Sequence, residues 1–168
     1  MTPEEHLDAA LRGLGFGPDD EMAATPSRVT KMLAAFVPTD PPPPLNPLPT
    51  RSRDAVVVRD LPYYSLCAHH LLPFFGHCTI AYQPSDRIAG LGWFPRVLAH
   101  LAQQPQLQER LCAQLADTIW EGLAPQAVGV RLTARQMCVE MRGPRSPGLF
   151  ETHTWRGAPS PELSHMLR

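Results

Sequence analysis

The sequence has little net charge, few cysteines and no long apolar run, and each shortage argues against a class of protein. Its 168 residues carry a formal net charge of −1, which gives no electrostatic basis for binding nucleic acid or an anionic membrane. Four cysteines are too few for a disulfide framework in a chain of this length. No apolar run approaches the ~20 residues that span a bilayer, and no N-terminal stretch has the pattern of a signal peptide. We therefore expect a cytoplasmic protein, in which reduced thiols can serve as metal ligands.

The chain divides into four predicted segments. Residues 1–37 form an N-terminal helical segment, with amphipathic helices over 4–14 and from Thr25 onward, where Pro26 suits the first helical turn. Residues 38–53 are a Pro-rich linker, because the seven prolines at 38–49 favour extended polyproline II. Residues 54–157 form the main folded domain, and residues 158–168 are expected to be a mobile tail.

Strands and helices in the predicted domain come in pairs. The pattern predicts strands at 54–60 and 75–83, helices at 95–103 and 106–123, and strands at 127–134 and 149–156, with 136–141 continuing the third strand. Paired strands favour antiparallel neighbours, and paired helices favour packing together on the sheet. We therefore predict an α+β fold with an antiparallel four-stranded sheet and two helices packed on one face.

A short stretch with metal-ligating residue types, S-L-C-A-H-H-L-L-P-F-F-G, lies between the first two strands. Cys67 and His70 are close enough in sequence to bind one ion, and a mixed sulfur and nitrogen set suits zinc. The best candidate for a third ligand is Cys138. Three protein ligands would leave a fourth position open, as in catalytic zinc sites. The alternative is that a single C-x-x-H pair is accidental and that the cysteine is a small packed residue.

Four long motifs occur in order along the chain: A-T-P-S-R-V-T-K-M, S-L-C-A-H-H-L-L-P-F-F-G-H-C-T-I-A-Y-Q-P, Q-L-Q-E-R-L and M-C-V-E-M-R-G. With them the sequence resembles the GTP cyclohydrolase I family from about Leu7 to Gly157. The resemblance implies a tunnelling fold, in which subunits join their sheets into a barrel. It also implies a homo-oligomer, usually a decamer of two stacked pentamers, with active sites between subunits.

The same resemblance assigns roles to individual residues. Cys67, His70 and Cys138 match the family's zinc ligands, and His69 matches a catalytic histidine. Gln108 and Glu109 match residues that recognise the guanine base. Arg96 and Arg142 match arginines that bind the triphosphate, where a guanidinium suits phosphate oxygens.

The activity implied is that of a hydrolase acting on cyclic amidine C–N bonds. The family opens the imidazole ring of GTP at C8, releases formate, and forms dihydroneopterin triphosphate on the route to pterins and folate. Zinc, when bound, supplies the nucleophile by acidifying water. His69 is the candidate proton carrier, since an unperturbed imidazole pKa of about 6.5 suits transfer in both directions.

Three positions depart from the family pattern. Gln136 stands where the family has a catalytic histidine, and glutamine cannot carry a proton at neutral pH; His153 is a candidate replacement. Gly92-Trp93 stands where the family has Ser-Lys, so a phosphate-binding cation is replaced by an indole that could stack on a base or sugar. Ala68 replaces a residue that is usually acidic.

The sequence leaves three alternative functions for this protein. The first is a zinc-dependent cyclohydrolase of the GTP cyclohydrolase I type, acting on GTP, on a related purine without the triphosphate, or only as far as ring opening. The second is a non-catalytic purine-binding or regulatory paralogue on the same fold. The third, a nitrile reductase on this fold, fits poorly because Cys67 and Cys138 are better used as metal ligands.

Overall fold

The computed structural model describes residues 1–17, 19 and 21–168, which fall into two compact units, 1–39 and 40–168. The elements in chain order are α1 (Pro3–Gly13), α2 (Thr25–Ala34), β1 (Leu48–Pro49), β2 (Val56–Cys67), β3 (Pro73–Gln83), β4 (Arg87–Ile88), α3 (Trp93–Ala102), β5 (Pro105–Gln106), α4 (Gln108–Leu123), β6 (Ala127–Gln136), α5 (Met137–Glu140), β7 (Phe150–Gly157) and α6 (Pro161–Met166). The four-segment division of the sequence stays a prediction.

The first unit contains the two predicted helices. The side chain of Thr2 caps α1 by accepting from the Glu5 N–H, and the Glu5 carboxylate accepts from the Thr2 N–H in return. Helix α2 begins at Thr25, and Ala24 is its N-cap. Thr25 is therefore the first helical residue and does not cap the helix.

The second unit is built on a five-stranded sheet in the order β5-β2-β3-β6-β7. The four long strands are antiparallel to their neighbours, and only the two-residue β5 runs parallel to β2. Helices α3 and α4 contribute to one core with the sheet, because the apolar stripe Leu111, Leu115 and Ile119 is fully buried. The predicted α+β layout with two packed helices is confirmed. Among the described residues, no helix is both long and apolar enough to cross a bilayer.

The C-terminal segment corrects one prediction. Residues expected to be a mobile tail form α6, in which the Ser160 hydroxyl accepts from the Leu163 N–H at 3.1 Å. Leu163 and Leu167 are buried in a second apolar cluster that includes Ala81 and Ala127. The apolar contacts of this short helix therefore hold the segment against the sheet.

A second correction concerns residues 136–141, which were expected to continue a strand. Strand β6 ends at Gln136, and Met137–Glu140 form a single helical turn, α5. This turn redirects the chain directly after the last sheet pair, Gln136 with Phe74.

Candidate metal centre and active-site cleft

A tight turn after β2 brings Cys67 and His70 together. The Cys67 N–H donates to the Leu72 carbonyl, and the Leu71 N–H donates to the Cys67 carbonyl, both at 2.8 Å. Leu71 adopts a left-handed φ of 53° to close this turn. As a result, the Cys67 Sγ lies 3.8 Å from His70 Nδ1.

Cys138 joins this pair from a later strand that ends at the same end of the sheet. Because β6 pairs with β3, the end of β6 lies beside the residues that follow the metal turn. The α5 turn then presents Cys138 so that one ligand atom from each of Cys67, His70 and Cys138 lies within 4.8 Å of the others. We call these three residues the Cys-His-Cys trio.

The donor set of the trio fits zinc. Two sulfurs and one imidazole nitrogen are ligand types that zinc accepts in tetrahedral sites, and three ligands leave one position open. The pKa of the Cys138 thiol is raised, first by burial and then by the neighbouring Cys67, while the charge of Arg142 acts in the opposite direction. A bound cation would favour both thiolates, since a coordinating thiol loses its proton.

Two members of the trio, Cys67 and Cys138, line a cleft of about 280 Å³. The Ala68 N–H donates to the Gln106 carbonyl at 2.9 Å, which holds β5 against the end of β2. Helix α4 starts directly after β5, so its first residues, Gln108 and Glu109, line this cleft together with His69. His69 and Glu109 are exposed to solvent, as groups that meet a ligand must be.

Gln108 is buried and occupied by contacts within the protein. Its exposed fraction is 4%. Its side-chain Nε2 donates to the carbonyls of Leu132 and Phe150, both at 3.1 Å. Its Oε1 accepts from Gln136 Nε2 at 2.8 Å. Contact of the Gln108 side chain with a guanine base stays a prediction, and both of its N–H groups already have acceptors.

None of the phosphate-binding candidates is among the described residues that line this cleft. Arg142 is exposed, and its charge acts on Cys138. Arg96 and Trp93 border a separate cleft beside the Pro-rich segment, and Arg96 Nε donates to the Gly92 carbonyl at 3.0 Å. Trp93 is 4% exposed and donates its indole N–H to the Pro43 carbonyl at 3.2 Å. A buried indole leaves no free ring face for stacking on a substrate.

His153 is not placed to replace the missing histidine. Side chains alternate between the two faces of a strand, so Thr152 lines the cleft of the trio and His153 points to the opposite face. There His153 borders a different cleft with Arg131 and Trp155.

Sequence reasoning missed the apolar part of the cleft wall, which includes Phe74, Val139 and Phe150. Phe74 pairs with Gln136 and Phe150 pairs with Ala134, and these pairings place both phenylalanine rings beside the trio. Strand register was the signal that could have found them, and it requires knowing which strands are neighbours.

Comparison with known proteins gives one consistent family. A family model described as GTP cyclohydrolase I matches residues 3–162. A GTP cyclohydrolase 1 from Streptococcus agalactiae is 41% identical over 158 residues, covering 88% of this chain and 84% of the relative. Another from Carboxydothermus hydrogenoformans is 40% identical with 88% and 82% covered.

A solved structure supports the fold. The apo archaeosine synthase QueF-Like matches with a TM-score of 0.50 and 16% identity, covering 65% of this chain and all of that one. At this identity the likeness concerns the fold alone, and the predicted tunnelling fold is confirmed. The family match spans nearly the whole chain, including the trio, and the chain therefore belongs to the GTP cyclohydrolase I family.

Proposed function

We propose that this protein is a zinc-dependent hydrolase that opens the imidazole ring of a guanine nucleotide at C8. The observation that carries the proposal is the trio, whose ligand atoms lie within 4.8 Å of one another beside a cleft containing His69 and Glu109. Cys67, His70 and Cys138 would hold the ion. Zinc, when bound, supplies the nucleophile by acidifying water.

Glu109 is suited to recognise the base. It lies in the first turn of α4, where the helix dipole favours a negative charge, and its exposed carboxylate lines the cleft. The edge of guanine presents neighbouring N–H groups, which a carboxylate can accept together. Since Gln108 already uses both side-chain N–H groups inside the protein, base recognition falls mainly on Glu109.

His69 is suited to carry protons between water and the ring nitrogens. It is adjacent in sequence to the metal ligand His70, with ring centroids 6.1 Å apart, and it is open to the cleft. An imidazole can donate or accept a proton near neutral pH. Gln136 cannot do so, which leaves one proton carrier where the family pattern has two.

The triphosphate is the weakest part of the match to GTP. Arg142 is close enough to act on Cys138, but position 93 offers a buried indole instead of a cation. One lost charged hydrogen bond costs about 1.5–3 kcal/mol. GTP is the default substrate, and a guanine nucleoside without the triphosphate, or a reaction that stops at ring opening, is the specific alternative.

The experiment uses zinc-loaded protein with GTP, guanosine and guanine offered separately. Loss of purine absorbance measures ring opening, released formate measures the second hydrolysis, and fluorescence after oxidation detects a pterin. Cys138→Ala should abolish all three signals. Cys112→Ala is the matched control, because Cys112 is buried in the core and is not part of the trio.

A non-catalytic paralogue is the second candidate, favoured by the replacement of the family histidine by Gln136. It predicts zinc and purine binding with no loss of purine absorbance for any of the three compounds. Formate from any one of them would exclude it.

We also infer a homo-oligomer, a decamer of two pentamers by family resemblance, in the cytoplasm. Size-exclusion chromatography with light scattering should then give a molar mass of about ten times the 18.6 kDa of one chain. A monomer that retains activity would contradict active sites formed between subunits.

A further inference from the structure

The hydrogen bonds around Gln108 fix which way the Gln136 amide faces. Backbone carbonyls can only accept, so the Gln108 group facing Leu132 and Phe150 must be its NH2. Its remaining atom, Oε1, can only accept as well, so Gln136 must turn its NH2 toward Gln108. The Gln136 oxygen therefore faces Cys138, with Oε1 and Sγ 4.0 Å apart.

This orientation is opposite to the one that the metal ligands alone would favour. A sulfur ligand attracts N–H donors, so an unrestrained amide beside Cys138 would turn its NH2 toward the sulfur. Gln108 is 4% exposed and tied to two strands, so it cannot follow such a turn. Its position holds Gln136 with an acceptor toward the cleft.

We propose that Gln108 is a positioning residue that fixes Gln136 as a hydrogen-bond acceptor, and that Gln136 selects a guanine base carrying a hydrogen on N7. The inference rests on the proposed function, in which C8 reacts beside the trio. The neighbours of C8 are N7 and N9, and N9 carries the ribose, so only N7 can present a hydrogen there. Neutral guanine has a lone pair on N7, which the Gln136 oxygen repels.

The acceptor gives Gln136 a role that needs no proton of its own. N7 takes up one proton from solvent water, and Gln136 stabilises the resulting N7–H. Water oxygen then bonds to C8 and the C8–N9 bond breaks. One water hydrogen ends on N9 and the other returns to the solvent, so that one water is consumed in forming the ring-opened formamide.

The test compares guanosine with 9-deazaguanosine, a stable isostere that has carbon at position 9 and a hydrogen on N7. Binding of each to the zinc-loaded full chain is measured by calorimetry. A gained hydrogen bond in place of a lone-pair repulsion should make 9-deazaguanosine bind about tenfold more tightly. The ratio of the two affinities within one variant does not depend on the fraction of folded protein.

Gln136→Met and Gln108→Met should both bring this ratio close to one, the first by removing the acceptor and the second by freeing the amide to turn. Gln108→Asn, which shortens the side chain, replaces Gln108→Met if that variant does not fold. Gln114→Met is the matched control, since it removes a 2.7 Å side-chain amide hydrogen bond to Gln106 elsewhere on α4 and should keep the preference.

Two results would overturn the inference while leaving the proposed function intact. One is equal affinity of the wild type for the two nucleosides while GTP is still hydrolysed, and the other is a preference that survives Gln136→Met and Gln108→Met. If neither nucleoside binds and no purine is hydrolysed, the proposed function fails and the inference fails with it.

Discussion

Replacing Trp93 by lysine tests whether position 93 is an open phosphate subsite or part of the core. Trp93 is 4% exposed, donates to the Pro43 carbonyl at 3.2 Å, and packs edge-to-face on Phe94 with centroids 5.4 Å apart. Truncating a buried tryptophan costs about 3–5 kcal/mol. The lysine stem would restore part of the packing, but its ammonium would have to be buried or displaced into solvent.

We therefore expect Trp93→Lys to lower the free energy of unfolding by about 3–5 kcal/mol. For a chain of this length that corresponds to a fall in Tm of roughly 10 °C. The KM for GTP should not improve, because the restored cation lies at a core position. Thermal and urea unfolding are measured at one protein concentration, since the stability of an oligomer depends on it.

Trp93→Phe is the control for this variant. It keeps an aromatic ring but loses the indole donor and part of the ring volume, so it should cost about 1–3 kcal/mol, less than Trp93→Lys. A Trp93→Lys protein that melts like the wild type and binds GTP more tightly would refute the assignment of Trp93 to the core.

Three further predictions concern the sheet, the thiols and pH. Gly76→Ala should prevent folding or lower the Tm severely, because the new Cβ would lie 1.8 Å from a backbone carbonyl oxygen of the neighbouring strand. Gly148→Ala is the control: its Cβ would lie 3.8 Å from the nearest ring carbon, so this variant should melt like the wild type. Removing zinc with a chelator should make two thiols per chain reactive toward an aromatic disulfide reagent. The two buried cysteines outside the trio should stay protected; for Cys112, for example, burial raises the pKa of the thiol to about 11. Four fast-reacting thiols would contradict this prediction. The hydrogen bond from Arg131 lowers the pKa of Glu151, so the stabilisation that this ion pair provides is present above the unfolded pKa of about 4.3 and is lost as pH falls through the lower folded value. The Tm difference between wild type and Glu151→Gln should accordingly shrink from pH 7 to pH 3, and a constant difference would argue against the pair.

The Cys-His-Cys trio could be predicted from the sequence because its residue types are chemically distinctive. Cys67 and His70 are close in the chain, and their residue types limit the candidates. The third ligand, Cys138, needed the additional expectation that a later strand returns to the same end of the sheet. The pairing of β3 with β6 supplies that return, so the trio is brought together as predicted.

Short elements and buried polar contacts were harder to predict. Residues 136–141 alternate apolar and polar side chains as a strand does, and a four-residue helical turn carries no periodic signal of its own. The sequence S-P-E-L-S at residues 160–164 does contain a helix-start signal, but six residues form a stable helix only through burial against the sheet. The contacts of Gln108 involve carbonyls of Leu132 and Phe150, which are distant in sequence.

The two main departures from the family pattern have different consequences because they lie in different surroundings. Gln136 borders the cleft beside Cys138, so we expect its replacement to affect the chemistry of the ring. Trp93 is buried and held by the Pro43 carbonyl. Consecutive prolines lack N–H groups, so their carbonyls must find donors outside the run, and the indole is such a donor. The Pro-rich segment and the indole at position 93 thus belong to one structural feature, and Trp93 does not line the cleft at the trio. This separation is why we expect ring-opening chemistry to persist where affinity for the triphosphate is reduced.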